Sequence, residues 1–310
     1  MIKVQKTNQA SLRKRIWEAR YLYLLLLPGV IWFIVWCYIP MDGVLLAFKK
    51  YNVKLGILGS KSVGLANFQR IFITPAAKQA IINTLEISLT RLLVEFPVPI
   101  LLALFINEIR GKRTKKIFQT VYTFPHFLSW VVVALILSNF LSNNGLVNSL
   151  LEGMGFKKVN ILASIPFFRP LLYLTSNWKE AGWSSIIYLA AITSIDPTLY
   201  EAAQIDGASR FQQAIYVTLA GIRETIVLLL ILAVGGIMNA GFDQIFNMQN
   251  GGVKQVSQII DTYVYEITFQ AAPNYGFSAA VGIFKSGINL LLMLAANFTA
   301  RRISGTGLFN

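Results

Sequence analysis

An all-α membrane protein with about six spanning helices is the fold class this sequence predicts, and three observations predict it. Hydrophobic residues make up 55% of the 310 and charged residues only 14%, against about 25% charged in soluble domains. Mean hydropathy is +0.56. Apolar runs of ~20 residues, enough to cross a bilayer, recur along the chain, with Lys and Arg gathered at their edges.

Taken in order, the runs place spans at 21–46, 81–107, 117–141, 170–194, 214–240 and 277–300. The first follows a basic stretch (Lys3, Lys6, Arg13, Lys14, Arg15, Arg20), as in a signal peptide. Yet Tyr21–Phe48 exceeds a signal core of ~7–15 residues and no A-x-A-like site follows, so it reads as a retained helix. Residues 1–20 then form an N-terminal segment, 21–300 the membrane domain and 301–310 a tail. Cations also crowd Arg110–Lys116 and Arg301–Arg302, and the positive-inside rule makes these segments and both termini cytoplasmic. Six spans agree with that. One stretch disagrees: 49–78 carries Lys49, Lys50, Lys54, Lys61, Arg70 and Lys78 yet falls outside. These cations suit either acidic sugars or a topology signal.

Several classes are excluded. The formal charge of +14 is spread along span edges rather than clustered as in a nucleic-acid footprint. Cys37 is the sole cysteine and His126 the sole histidine, so there is no disulfide framework and no His-based metal site. His126, within Phe-Pro-His-Phe, reads as a packed or interfacial residue. No internal repeat and no set of catalytic groups is visible.

Between the fourth and fifth spans lies a polar interruption, 196–221, "DPTLYEAAQIDGASRFQQAIYVTLAG". Asp196-Pro197 pairs an N-cap with proline at the first helical position. A short helix runs through Glu201, Ala202 and Ala203 to about Asp206, where Gly207 suits a left-handed stop. Ser209 and Gln212 match a capping box that opens a second helix. On these features alone the element reads as an interfacial connector.

The same stretch resembles the signature loop of permease subunits of binding-protein-dependent ABC importers: E-A-A, three residues, Gly, nine residues, I-x-L-P. Here Glu201-Ala202-Ala203 precedes Gly207 at that spacing, and Val217-Thr218-Leu219-Ala220 follows, with Ala220 in place of the proline. "VGLANFQRIF", "INTLEISLTRLL", "FPHFLSWVVVALI" and "NNGLVNSLL" resemble sugar-importer permeases. "KEAGWSSIIYLAAITSIDPTLYEAAQIDGAS" and "GFDQIFNMQNGGV" are closer to permeases for oligosaccharides from complex polysaccharides. The resemblance implies a type I ABC importer permease fold in a bacterial cytoplasmic membrane. It also implies a second homologous permease, two ATP-binding subunits, an external solute-binding protein and an oligosaccharide substrate. ATP and Mg would belong to the partner subunits; this chain has no Walker A motif, no cofactor and no catalytic role. Glu201, Ala202, Ala203, Asp206 and Gly207 would dock into the ATP-binding subunit.

Ionisable groups inside a membrane default to functional or paired roles. At ~1.5 Å per residue, Glu180 lies ~15 Å into the fourth span and Lys285 ~12 Å into the sixth, depths that allow a pair. Adjacent Lys179 and Glu180 are expected to point apart. Arg91 and Glu95, at i and i+4, are expected to pair within one helix. Asn177, Trp178, Glu180 and Trp183, with Asn239 and Asp243, are candidate sugar contacts; packing and structural pairing are the competing explanations. Two other functions stay open: an ABC permease for a different solute, and a stand-alone secondary transporter, which would leave the signature loop unexplained.

Overall fold

The computed structural model describes residues 16–270, 273–305 and 307–308. The basic residues expected to flank the first span at positions 3–15 lie outside the described residues. Among those described, four helices are long and apolar enough to span: Arg20–Phe48, Pro75–Glu108, Trp130–Gly153 and Tyr275–Arg302. A fifth forms from Arg210–Leu219 and Arg223–Gly235, which meet at 62°. The helix Ile165–Thr193 has the length, 29 residues, but Arg169, Lys179 and Glu180 make it less apolar than the others. It is the sixth element, and its polarity is where the chemistry lies.

The first span is α-helical over Arg20–Phe33, loosens to a π turn at Ile34–Tyr38 and tightens to 3₁₀ geometry over Ile39–Phe48. Pro40 explains the change, because it cannot donate and its ring crowds the carbonyl four residues back. Arg20–Phe33 buries none of its residues. Ile39–Phe48, by contrast, packs on the last span. A two-residue antiparallel pair, Lys49–Lys50 with Lys61–Ser62, and an amphipathic helix, Ala66–Ile73, then lead into the second span.

The expected third span, 117–141, is not one helix. Lys112–Thr123 ends in a 3₁₀ turn at Phe124–Phe127, and a new helix, Trp130–Leu141, starts after Ser129. Pro125 opens the turn, and the Ser129 hydroxyl accepts the Val132 amide at 3.3 Å. A broken backbone in a membrane must have its polar groups satisfied by protein. The Lys179 ammonium does so, donating to the His126 carbonyl at 2.8 Å.

At the fifth span, Ala220 stands where the family pattern has proline, and the helix still turns. A π turn at Ala214–Leu219 precedes the break, and Gly221 sits where a Cβ would lie 2.7 Å from Ile195 Cδ1. The last helix continues past the expected end at 300 to Ser304, where Gly305 stops it at φ +73°. Three apolar clusters tie the bundle together. One joins Ala47 and Ile71 to Phe277 and Val281. A second joins Ile87 to Phe168, Leu172 and Ile245, and a third joins Ile100 and Ala103 to Tyr188, Ile192 and Ile222. Elsewhere large apolar side chains face outward, as a lipid solvent permits.

Candidate functional site: a docking loop and a mid-bundle cavity

The loop between the fourth and fifth spans folds from its own local signals. Asp196 Oδ1 accepts the Thr198 amide at 2.9 Å, and Pro197–Ile205 is helical. The Ala208 amide donates to the Ala203 carbonyl at 2.8 Å and the Gly207 amide to the Gln204 carbonyl at 3.1 Å. This is a Schellman stop, with Gly207 at φ +79° in the left-handed region that glycine tolerates without strain. Ser209 and Gln212 then close a reciprocal capping box. Glu201, Ala202, Asp206 and Gly207 are exposed and Ala203 is half-buried. Beside them Ile205 is 86% exposed, an apolar knob on a polar element. Tyr200 Oη and Thr218 Oγ1, 2.9 Å apart, tie the short helix to the fifth span. The Thr198 amide, with the Thr198 side chain beside it, keeps the solvent-exposed Asp196 carboxyl below the usual carboxylate range.

A cavity of about 460 Å³ opens between the second, fourth and fifth spans, lined by Ser88, Arg91, Glu95, Trp183, Tyr188 and Asn239 among others. Arg91 and Glu95 do pair within their helix, at 3.7 Å. Each is also anchored elsewhere. Arg91 Nη2 donates to Gln244 Oε1, and Gln244 Nε2 donates to the Leu172 carbonyl and to Thr175 Oγ1, both at 2.8 Å. Ser176 Oγ donates to Glu95 Oε2 at 2.9 Å. Gly241 makes room for the guanidinium, since a Cβ there would lie 2.6 Å from Arg91 Nη1. Among the described residues, the buried atoms Arg91 Nε, Glu95 Oε1 and Ser88 Oγ have no hydrogen-bond partner, Nε and Oε1 being the two atoms of the Arg91–Glu95 ion pair. The cavity wall thus sets an arginine, a carboxylate, a serine and Asn239 beside the Trp183 indole, a few polar groups in an otherwise apolar lining.

Of the expected sugar contacts, Trp183 and Asn239 line this cavity and Asn177, Trp178, Glu180 and Asp243 do not. Asn177 Nδ2 bonds back to the Tyr173 carbonyl at 3.2 Å, and Trp178 and Asp243 are exposed. Glu180 does not pair with Lys285. Its Oε2 lies 2.7 Å from His126 Nδ1 and its Oε1 2.9 Å from Lys179 Nζ. Lys285 instead holds Asp261, at 2.6 and 2.8 Å. The expectation that Lys179 and Glu180 point apart also fails, because the long lysine side chain folds back to serve the His126 carbonyl and the carboxylate together. His126 is more than a packed residue, since its ring also stacks on Trp183 at 4.5 Å and 3°. Gln244 and Gly241 lie in the GFDQIFNMQNGGV stretch but are not among the expected site residues; only the approach of Arg91 gives them a role.

Among the described residues, a helical bundle with an exposed helix–glycine–helix loop and a polar cavity has the form of a membrane permease. Residues 96–305 match the family described as binding-protein-dependent transport system inner membrane component, and the chain belongs to it. It is 42% identical over 306 residues to a polygalacturonan/rhamnogalacturonan transport system permease protein of Bacillus subtilis, covering 98% of this chain and 95% of that one. Protein LplB of the same organism is 40% identical over 291 residues, covering 94% and 91%. Among solved structures, a chain of a bacterial alginate ABC transporter in complex with alginate pentasaccharide-bound periplasmic protein superposes with a TM-score of 0.87. It is 41% identical, with 96% of this chain and 100% of that one covered.

Proposed function

We propose that this chain is one permease subunit of an ABC importer that carries oligosaccharides derived from complex glycans into the cell. A second homologous permease completes the path, ATP and Mg are bound by two partner subunits, and an external protein delivers the sugar. Both termini and the loop at 196–221 face the cytoplasm. The observation that carries this reading is the exposed Pro197–Gly207 element, stiffened by a cap at each end and presenting Ile205 to a partner. The second permease is supported by the first helix, Arg20–Phe33, which buries no residue against its own chain.

In this mechanism, closure of the ATP-binding subunits moves the Pro197–Ile205 helix, and Tyr200 and the capping box pass that motion to the fifth span. The cavity walls on the second and fourth spans then part from the fifth, and the site changes the side to which it opens. The chain contributes a bistable element whose populations ATP and the loaded external protein bias. Trp183, one face of which His126 covers, offers its remaining surface to a sugar ring, while Arg91, Glu95 and Asn239 take hydroxyls. The test is ATP-dependent uptake of labelled oligogalacturonides and alginate oligomers into proteoliposomes holding the assembled complex. Uptake that needs ATP and the external protein supports the reading; saccharide uptake by this chain alone, driven by an ion gradient, overturns it.

A further inference from the structure

The cations of residues 49–78 lie at the end of the bundle remote from the docking loop. The second span runs from Pro75, beside them, to Glu108, which faces Arg210 at 3.9 Å next to the loop. Between Asp42 and Glu86 the sequence holds Lys49, Lys50, Lys54, Lys61, Arg70 and Lys78 and no Asp or Glu. Positive charge on the outer side runs against the topology rule. Among the described residues none of these cations lies within ion-pair distance of a carboxylate, whereas Lys158, Arg169, Lys254 and Lys285 each hold one. The strand register sets Lys50 directly opposite Lys61, and like charges so placed destabilise the pairing.

These cations border a concavity. Lys50, Tyr51, Asn67, Arg70, Asn274 and Tyr275 are among the walls of an outer cavity of about 460 Å³, within the range of small-molecule sites. Its geometry is fixed. Asn67 Nδ2 donates to the carbonyls of Ala47 and Lys49, at 2.8 and 3.1 Å. Gly276 lets the last span approach so closely that a Cβ would lie 2.5 Å from the Lys49 carbonyl. Tyr51 and Tyr275 meet edge to face at 5.7 Å, and the Arg70 guanidinium is seated over the Phe277 ring at 4.9 Å. Lys49 is spent on the carbonyls of Ile57 and Leu58; Lys50 and Arg70 are not spent on any carboxylate.

We propose that this outer cavity binds a carboxylate-bearing saccharide, a uronate unit, on its way to the translocation path. Lys50 and Arg70 take the carboxylate, with the guanidinium fork matched to its two oxygens. Tyr51 and Tyr275 receive the apolar face of the ring, which a tyrosine can contact while keeping its hydroxyl wet. The anion relieves the Lys50–Lys61 repulsion, which a neutral sugar leaves in place. A saccharide fits better than a protein surface because the charge sits in a concavity floored by aromatic rings. The proposal rests on the import reading only for the reason a saccharide reaches this cavity.

The test titrates trigalacturonate, and its fully methyl-esterified uncharged form, into the assembled complex in nanodiscs of phosphatidylcholine. Trigalacturonate should bind, more weakly as salt rises, and Lys50→Gln with Arg70→Gln should weaken it at least ~10-fold, the scale of one charge-assisted hydrogen bond. Lys50→Arg should retain binding, and the methyl ester should show no dependence on Lys50 or Arg70. Equal affinity of wild type and the Gln variants, or no binding to wild type, overturns the proposal. So does a Gln variant that loses only docking of the external solute-binding protein, or only retention of added anionic lipid. Normal ATP-driven uptake with an unchanged titration removes the outer cavity alone; wild type that imports no oligosaccharide removes the import reading itself.

Discussion

Replacing Gly207 by valine should uncouple ATP hydrolysis from uptake while leaving membrane insertion intact. The native φ is +79°, and no atom lies within 4 Å of the position a Cβ would take. The perturbation is therefore backbone strain rather than a clash. A residue with a Cβ in the left-handed region costs about 1–2 kcal/mol, and β-branching puts valine at the upper end or above it. The strain is released by giving up the Schellman bonds from Gly207 and Ala208, which changes the angle between Pro197–Ile205 and the helix starting at Arg210. A cost of 1–2 kcal/mol shifts a two-state population about 5–30-fold, enough to lower sugar moved per ATP several-fold. The assay is uptake and ATPase measured together in proteoliposomes. Gly207→Asn is the control, because asparagine tolerates this conformation and should retain more coupling than valine. Unchanged uptake per ATP in the valine variant would refute the coupling role; a variant that no longer inserts would assign Gly207 to folding instead.

Gly182→Ala should destabilise the bundle by a clash rather than by backbone strain, since its Cβ would lie 2.0 Å from the Tyr122 carbonyl oxygen. Overpacking of this kind costs about 1–3 kcal/mol or more, read as a lower melting temperature of the purified complex. Arg91→Met leaves Glu95 and Gln244 without their cation and should cost about 3 kcal/mol, read as thermal destabilisation together with lost uptake; Gln244→Leu should share part of that loss. The Asp196 cap carries a pH signature. Its folded carboxyl is depressed by the bonds from Thr198, so the cap's contribution is complete above the ordinary value of about 3.9 and is lost as pH falls through the depressed one. Hydrogen exchange across 198–200 should therefore be equally protected at neutral and mildly acid pH and open only below it, and Asp196→Asn should remove the dependence.

What was legible in the sequence is what is written locally. The docking loop follows from Asp196-Pro197, Gly207 and Ser209–Gln212, each acting within four residues, and the Arg91–Glu95 pair follows from helical spacing. The break at Phe124–Ser129 was missed although Pro125 signals it, because the apolar runs on either side read as one continuous span. What stabilises it is Lys179, a residue more than fifty positions away. The partners of Glu180 and Lys285 were misjudged for the same reason: depth along a span restricts partners without choosing among them, and tertiary packing gave Glu180 to His126 and Lys285 to Asp261. Gln244 meets Arg91 only because a glycine three residues earlier lets the guanidinium approach.

The central claim is that the 196–221 loop is a handle for another protein. The direct measurement is gentle purification of the tagged chain from its native membrane, followed by mass spectrometry of what accompanies it. An ATP-binding subunit and a second permease of the same family should be recovered, and Ile205→Asp should release the ATP-binding subunit while keeping the second permease. A chain that emerges alone, under conditions that keep other membrane complexes intact, would contradict the claim.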